Sequence, residues 1–208
     1  MRYIVVVLTL TILLAGAASA QVGSPIKIYG GVGFSNPSDP VDFSDDYKRS
    51  SHFLLGIGYS FFPKLEAIGK AEYHTFGEDI ADLNGGKFKA AMFGVDAKFT
   101  LSLPTIPFAP YAIGGIGLAS VEQDQFTNAV GALWEGGYLA SQTRFYYDYG
   151  FGVQWKLLMG VSAFGQLQWV KIDTKDQRTL SFVEGIDTSS PFEDGTKFWA
   201  ATVGVKLL

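Results

Sequence analysis

RFYYDYGFGVQWKLL, residues 144–158, decides the fold. Its odd positions, Phe145, Tyr147, Tyr149, Phe151, Val153, Trp155 and Leu157, are large and apolar or aromatic. Its even positions, Arg144, Tyr146, Asp148, Gly150, Gly152, Gln154 and Lys156, are polar or small. A period of two is a β-strand with one apolar and one polar face. A soluble barrel would bury the apolar face. A membrane barrel would turn it to lipid.

Seven other segments share the alternation. They are 24–35, 51–62, 65–76, 87–102, 108–121, 160–173 and 196–208. Segment 108–121 is the least clear, because Gly114, Gly115 and Gly117 blur its phase. The connections alternate too. Tight ones follow strands two, four and six, around Pro63-Lys64, residues 103–107 and Met159-Gly160. Longer polar ones, 36–50, 77–86, 122–142 and 174–195, follow the odd-numbered strands. Short turns at one end and long loops at the other are the arrangement of outer-membrane barrels.

The remaining composition narrows the class. The chain opens with Arg2, an apolar run from Ile4 to Leu14 and Ala18-Ser19-Ala20, the pattern of a cleavable signal peptide over residues 1–20. The expected mature domain is 21–208, and removing Arg2 takes the net charge from −4 to −5. That acidity argues against nucleic acid, which needs a basic stripe. There is no cysteine, hence no disulfide frame, no thiolate metal site and no lipoprotein anchor. Charged residues are 17%, against ~25% in ordinary soluble domains, so the polar strand faces are too poor in charge to meet water. No apolar run after residue 20 is long enough for a membrane helix, which leaves a closed barrel as the way to span.

Three features turn the apolar face outward. The opposite face is mostly Gly, Ser, Ala, Gln and Thr with charges of both signs. Glycine pairs such as Gly31/Gly33, Gly56/Gly58 and Gly150/Gly152 fit a narrow interior. Aromatics cluster near strand ends, and Phe145 and Trp155 would stand ~25 Å apart along the axis, the height of an outer-membrane apolar band. The expected aromatic girdle is Phe145, Trp169 and Trp199 on the loop side and Phe61, Phe99 and Trp155 on the turn side. A lipocalin-like soluble barrel would instead bury these aromatics around an apolar pocket.

The chain thus resembles the small eight-stranded outer-membrane barrels of the OmpA/OmpX-like superfamily. The resemblance covers 21–208 and is carried by strand number, loop asymmetry, the fifth strand (Pro110, Tyr111, Gly114, Gly115, Gly117) and a last strand that ends the chain. It implies an all-β, antiparallel up-and-down transmembrane barrel in a bacterial outer membrane. It also implies a monomer in contact with outer-membrane lipids and lipopolysaccharide, inserted by the outer-membrane assembly machinery, without cofactor. Such barrels usually end in an aromatic residue. This chain ends Val205-Lys206-Leu207-Leu208, a departure that weakens the insertion signal. No peptidoglycan-binding second domain is implied.

With the apolar face outward, the lumen receives Glu66, Lys70, Glu72, His74, Asp96, Lys98, Arg144 and Asp148, together with Lys27, His52, Lys156 and Lys206. An eight-stranded barrel is just wide enough for side chains to fill. These charges are therefore expected to pair, because an unpaired buried charge is costly. The expected role is structural or surface-interacting. The alternative is a narrow channel or an OmpW-like passive transporter for a small molecule, hydrophobic ones included. An enzyme would need a nucleophile, base and acid at a strand end. Ser51-His52, His74-Thr75 and Glu72 supply the residue types, but without the local motifs of the membrane-barrel hydrolases, and no metal or nucleotide spacing is present. The third long loop carries Phe126, Trp134 and Tyr138, a candidate binding surface for a partner or an apolar ligand.

Overall fold

A computed structural model describes residues 25–39, 48–77, 83–84, 87–101, 107–123, 127–128, 142–158, 160–173 and 195–207. Eight long strands form a closed antiparallel barrel. They are β1 (Ile26–Asp39), β2 (Ser50–Phe62), β3 (Leu65–Gly77), β4 (Lys87–Thr100), β5 (Phe108–Gln123), β6 (Gln142–Leu158), β7 (Val161–Ile172) and β8 (Thr196–Leu207). Each pairs with its sequence neighbour, and β8 closes on β1. No helix occurs among the described residues.

The alternation sets the faces. On β2, Phe53, Leu55, Ile57, Tyr59 and Phe61 are exposed, while His52, Leu54, Gly56 and Gly58 are buried. On β6, Phe145, Tyr147, Tyr149, Phe151, Val153, Trp155 and Leu157 are exposed, while Tyr146, Asp148, Gly152 and Gln154 are buried. A fold with this much exposed apolar surface has an apolar solvent outside. The lipocalin-like arrangement is reversed: the face that it would bury is the one turned out.

The ladder also gives the stagger. The line of partners from Ile28 runs through Ile57, Gly69, Val95, Ile116, Tyr147, Lys171 and Lys197 and returns to β1 at Asp39. Residues 28 and 39 are eleven positions apart, one of them the irregularity between Pro37 and Asp39, which leaves a stagger of ten. With eight strands this corresponds to a tilt of about 40°.

Several local features differ from the sequence expectation. β1 continues to Asp39 rather than ending at Ser35, because Pro37 sits at a register shift, where a missing N–H is tolerated. The phase of β5 is settled by its neighbours: Tyr111, Ile113, Ala119 and Val121 point in, Ile116 and Leu118 out. Leu207, which shares its parity with the exposed Val203 and Val205, is buried where β8 meets β1 and β7. Leu83–Asn84 pairs with Thr127–Asn128 in a small second sheet that bridges the β3–β4 and β5–β6 connections. The β6–β7 turn uses Gly160 at φ +80°, a left-handed conformation that favours glycine.

Candidate functional site

The lumen is built in four layers. At mid-height β3, β4 and β6 bring together Lys70, Glu72, Asp96 and Asp148, all buried. Lys70 Nζ lies 2.7 Å from Asp148 Oδ2, 3.1 Å from Asp96 Oδ2 and 3.6 Å from Glu72 Oε1. Gln168 Nε2 donates to Asp148 Oδ1 at 3.1 Å. One ammonium thus faces three carboxylates. β5 makes room by contributing Gly115, which stands in register between Asp96 and Asp148. A Cβ there would collide with the Asp96 carboxylate and come within 2.8 Å of the Val95 carbonyl. Next to it, Lys70, Gly94, Gly117 and Tyr146 form one register line, and the Tyr146 ring lies 5.8 Å from Lys70 Nζ.

Just above, β1, β2, β3 and β8 contribute Ser35, His52, His74 and Thr202. The two imidazoles stack with centroids 4.8 Å apart. Ser35 Oγ is 3.1 Å from His52 Nδ1 and 2.8 Å from His74 Nδ1. One hydroxyl has one proton, so at one of these contacts the imidazole donates. The consistent assignment has Thr202 O–H donating to His52 Nε2 (2.9 Å), His52 Nδ1–H to Ser35 and Ser35 O–H to His74 Nδ1. His74 Nε2 then faces Glu72 Oε2 at 3.5 Å, long for a hydrogen bond. Ser35, His74 and Glu72 thus stand in the order nucleophile, base, acid. Ser35 and His74 are, however, fully buried.

At the turn end lies a second polar cluster. Glu66 receives Tyr29 O–H at 2.7 Å and Lys27 Nζ at 3.3 Å. Lys98 Nζ donates to Tyr29 Oη at 3.3 Å and to Gln154 Oε1 at 3.1 Å, and sits 4.0 Å from the centre of the Tyr111 ring. At the loop end the lumen is apolar: Phe76, Phe88, Met92, Val121, Ile172 and Phe198 pack with Tyr146, Val170 and three alanines.

The expected lumen residues are therefore brought together only in part. Lys70, Glu72, Asp96 and Asp148 form one cluster, and His74 adjoins it. Glu66 belongs to the turn-end cluster, to which Lys98 is joined through Tyr29. Arg144 is half-buried and bonds Gln142 of its own strand. Lys156 is exposed, because its strand has there reached the turn. Phe61, Phe99, Phe145, Trp155 and Trp169 are on the outer surface, and Trp199 is half-buried between the edge of Phe34 and its cross-strand partner Trp169. Phe126, Trp134 and Tyr138 lie outside the described residues. Ser35, Tyr29, Tyr111 and the apolar layer were missed, although odd-numbered parity already places Ser35 and Tyr29 inward on β1.

A closed eight-stranded barrel with an apolar exterior and a filled, paired interior defines an integral outer-membrane β-barrel. The chain belongs to the family described as "Outer membrane protein beta-barrel domain", whose profile matches residues 5–206. No curated relative matches the sequence. Among solved structures it is similar to Neisserial surface protein A, at 15% identity and TM-score 0.60, over 88% of this chain and 97% of that one. It is similar to OprG from Pseudomonas aeruginosa, at 13% identity and TM-score 0.57, over 88% and 94%. It is also similar to a major outer membrane protein from Thermus thermophilus, at 12% identity and TM-score 0.52, over 88% and 99%. At these identities the likeness concerns the fold.

Proposed function

We propose that the protein is a non-conducting, non-enzymatic outer-membrane barrel with a structural or surface-interacting role, its long loops outside the cell. The observation that supports this most is the filling of the lumen. The cavity between the two polar clusters, lined by Tyr29, Ile68, Lys70, Asp96, Lys98 and Phe164, has a volume of about 10 Å³, room for one water. The buried side chains include four lysines, counting the nearly buried Lys27, and four carboxylates, so the interior charge balances. Residues 1–20 act in this reading as a leader removed on export. The protein is inserted by the assembly machinery and works as a monomer.

Purified barrel reconstituted in planar bilayers is expected to give no regular conductance steps. Regular steps in the wild type would overturn the reading in favour of the narrow channel. Amino-terminal sequencing of the membrane form is expected to start at Gln21.

A further inference from the structure

Charge in the lumen balances as a whole but not level by level. At mid-height one lysine, Lys70, faces three carboxylates. At the turn end the ratio is reversed. Lys27, Lys98 and Lys206 stand there with Glu66, the one carboxylate at that end among the described residues. Glu66 is taken by Lys27 at 3.3 Å and by Tyr29 O–H at 2.7 Å. Lys98 donates to two neutral oxygens, Tyr29 Oη and Gln154 Oε1. Lys206 has neither kind of partner. It is 5% exposed, yet its ammonium makes no hydrogen bond or ion pair with a described residue. Lys27 and Lys156 repel it, and Glu66 attracts it only from beyond ion-pair distance. A buried charge left in this state is costly.

The ladder gives the place a definite shape. Lys156 of β6 pairs with Ser162 of β7, and Ser162 pairs with Lys206 of β8. All three continue the inward parity of their strands, and Ser162 is buried. Neighbouring strands stand ~4.8 Å apart, so the two lysines flank one hydroxyl from ~10 Å across. Lys156 is exposed, which opens this corner of the lumen to the solvent on the turn side. A cleft lined by one sign of charge concentrates ions of the other.

We propose that the turn-end mouth of the lumen binds a small oxyanion of the phosphate kind between Lys206 and Lys156, with Ser162 O–H donating to one of its oxygens. Each ammonium has three donors and the anion several acceptors, so the two lysines serve separate oxygens. The ligand is a free anion and not a lipid headgroup, because the three side chains belong to the inner face of the strands and acyl chains lie against the outer one. The site occupies the mouth alone and needs no passage through the filled lumen.

The test is isothermal titration calorimetry of the full barrel in non-ionic detergent with sodium phosphate, against sodium chloride at matched ionic strength and against phosphatidylglycerol. Phosphate is expected to bind saturably and chloride not to. Lys156→Gln is expected to weaken phosphate about tenfold, the loss of one charge-assisted contact, and Lys64→Gln in the β2–β3 turn to leave it unchanged. Lys206→Met keeps the stem and removes the charge. It is expected to abolish the binding and, in phosphate-free buffer, to raise the denaturant midpoint, because a repelled ammonium is gone. A lowered midpoint would give Lys206 a purely structural role and overturn the proposal. So would the absence of saturable phosphate binding, wild-type affinity in Lys156→Gln, or binding confined to phosphatidylglycerol. If Lys206→Met does not fold, the exposed Lys156→Gln decides alone: weakened phosphate binding supports the site, and full binding overturns it.

Discussion

Lys70 is the residue on which the middle of the lumen turns. Its ammonium touches Glu72, Asp96 and Asp148 at 3.6, 3.1 and 2.7 Å. Deleting it leaves three buried carboxylates without their cation, so Lys70→Ala is expected to cost about 3–5 kcal/mol. Denaturant unfolding of the barrel in detergent measures the loss. An unchanged midpoint would mean that the carboxylates find another partner. Ser35→Ala makes a milder test one layer up. It removes the hydroxyl shared by His52 and His74 and is expected to cost about 1–3 kcal/mol, because both Nδ1 atoms lose their partner in a buried site. Parity in the sequence already puts Lys70, Glu72, Asp96 and Asp148 inside. It cannot say which of them meet, because that depends on the register of strands far apart in the chain. Glu66 looks like a neighbour of Lys70 along β3, yet the stagger gives it to Lys27 and Tyr29.

Strands are legible where one face is continuous in size and polarity, and blurred where small residues occupy both faces. β2, β3 and β6 read clearly for the first reason. β5 reads poorly because Gly114, Gly115 and Gly117 fall on both parities. Its ladder gives Gly115 and Gly117 a steric purpose: they yield space to Asp96 and to the Tyr146 ring. A Cβ on Gly117 would stand 2.6 Å from Gly94 Cα and 2.6 Å from Tyr146 Cε1. Gly117→Ala is therefore expected to destabilise by about 1–3 kcal/mol through overpacking. Gly114→Ala, whose nearest neighbour would be the Asp148 carbonyl at 3.5 Å, should be near neutral. Unfolding midpoints of the two variants separate a packing role from a general need for glycine in the strand. The bridge between Leu83–Asn84 and Thr127–Asn128 had no sequence signal, since two-residue pairings lack a period.

The whole barrel is closed by two kinds of material stacked along one axis. The ion cluster fills mid-height, and the apolar layer of Phe76, Phe88 and Phe198 fills the loop end. Reading the lumen as polar throughout overlooked this division, because an inward Phe on β3, β4 or β8 breaks no alternation in a filled interior. On the non-conducting reading proposed above, the two layers would block water and ions for different reasons. The lower one surrounds one ammonium with three carboxylates, and the upper one is mostly apolar. On that reading, either layer alone is expected to keep the lumen shut. Phe198→Ala should cost about 3–5 kcal/mol by leaving a cavity, yet it leaves the Lys70 cluster below intact and should stay electrically silent. Lys70→Ala should also stay silent beneath an intact apolar layer. Combining the two on a barrel that still shifts on heating should produce conductance steps in planar bilayers. Steps from either single variant would show that one layer alone keeps the lumen shut, and a silent double variant would place the seal in the turn-end cluster around Glu66 and Lys98.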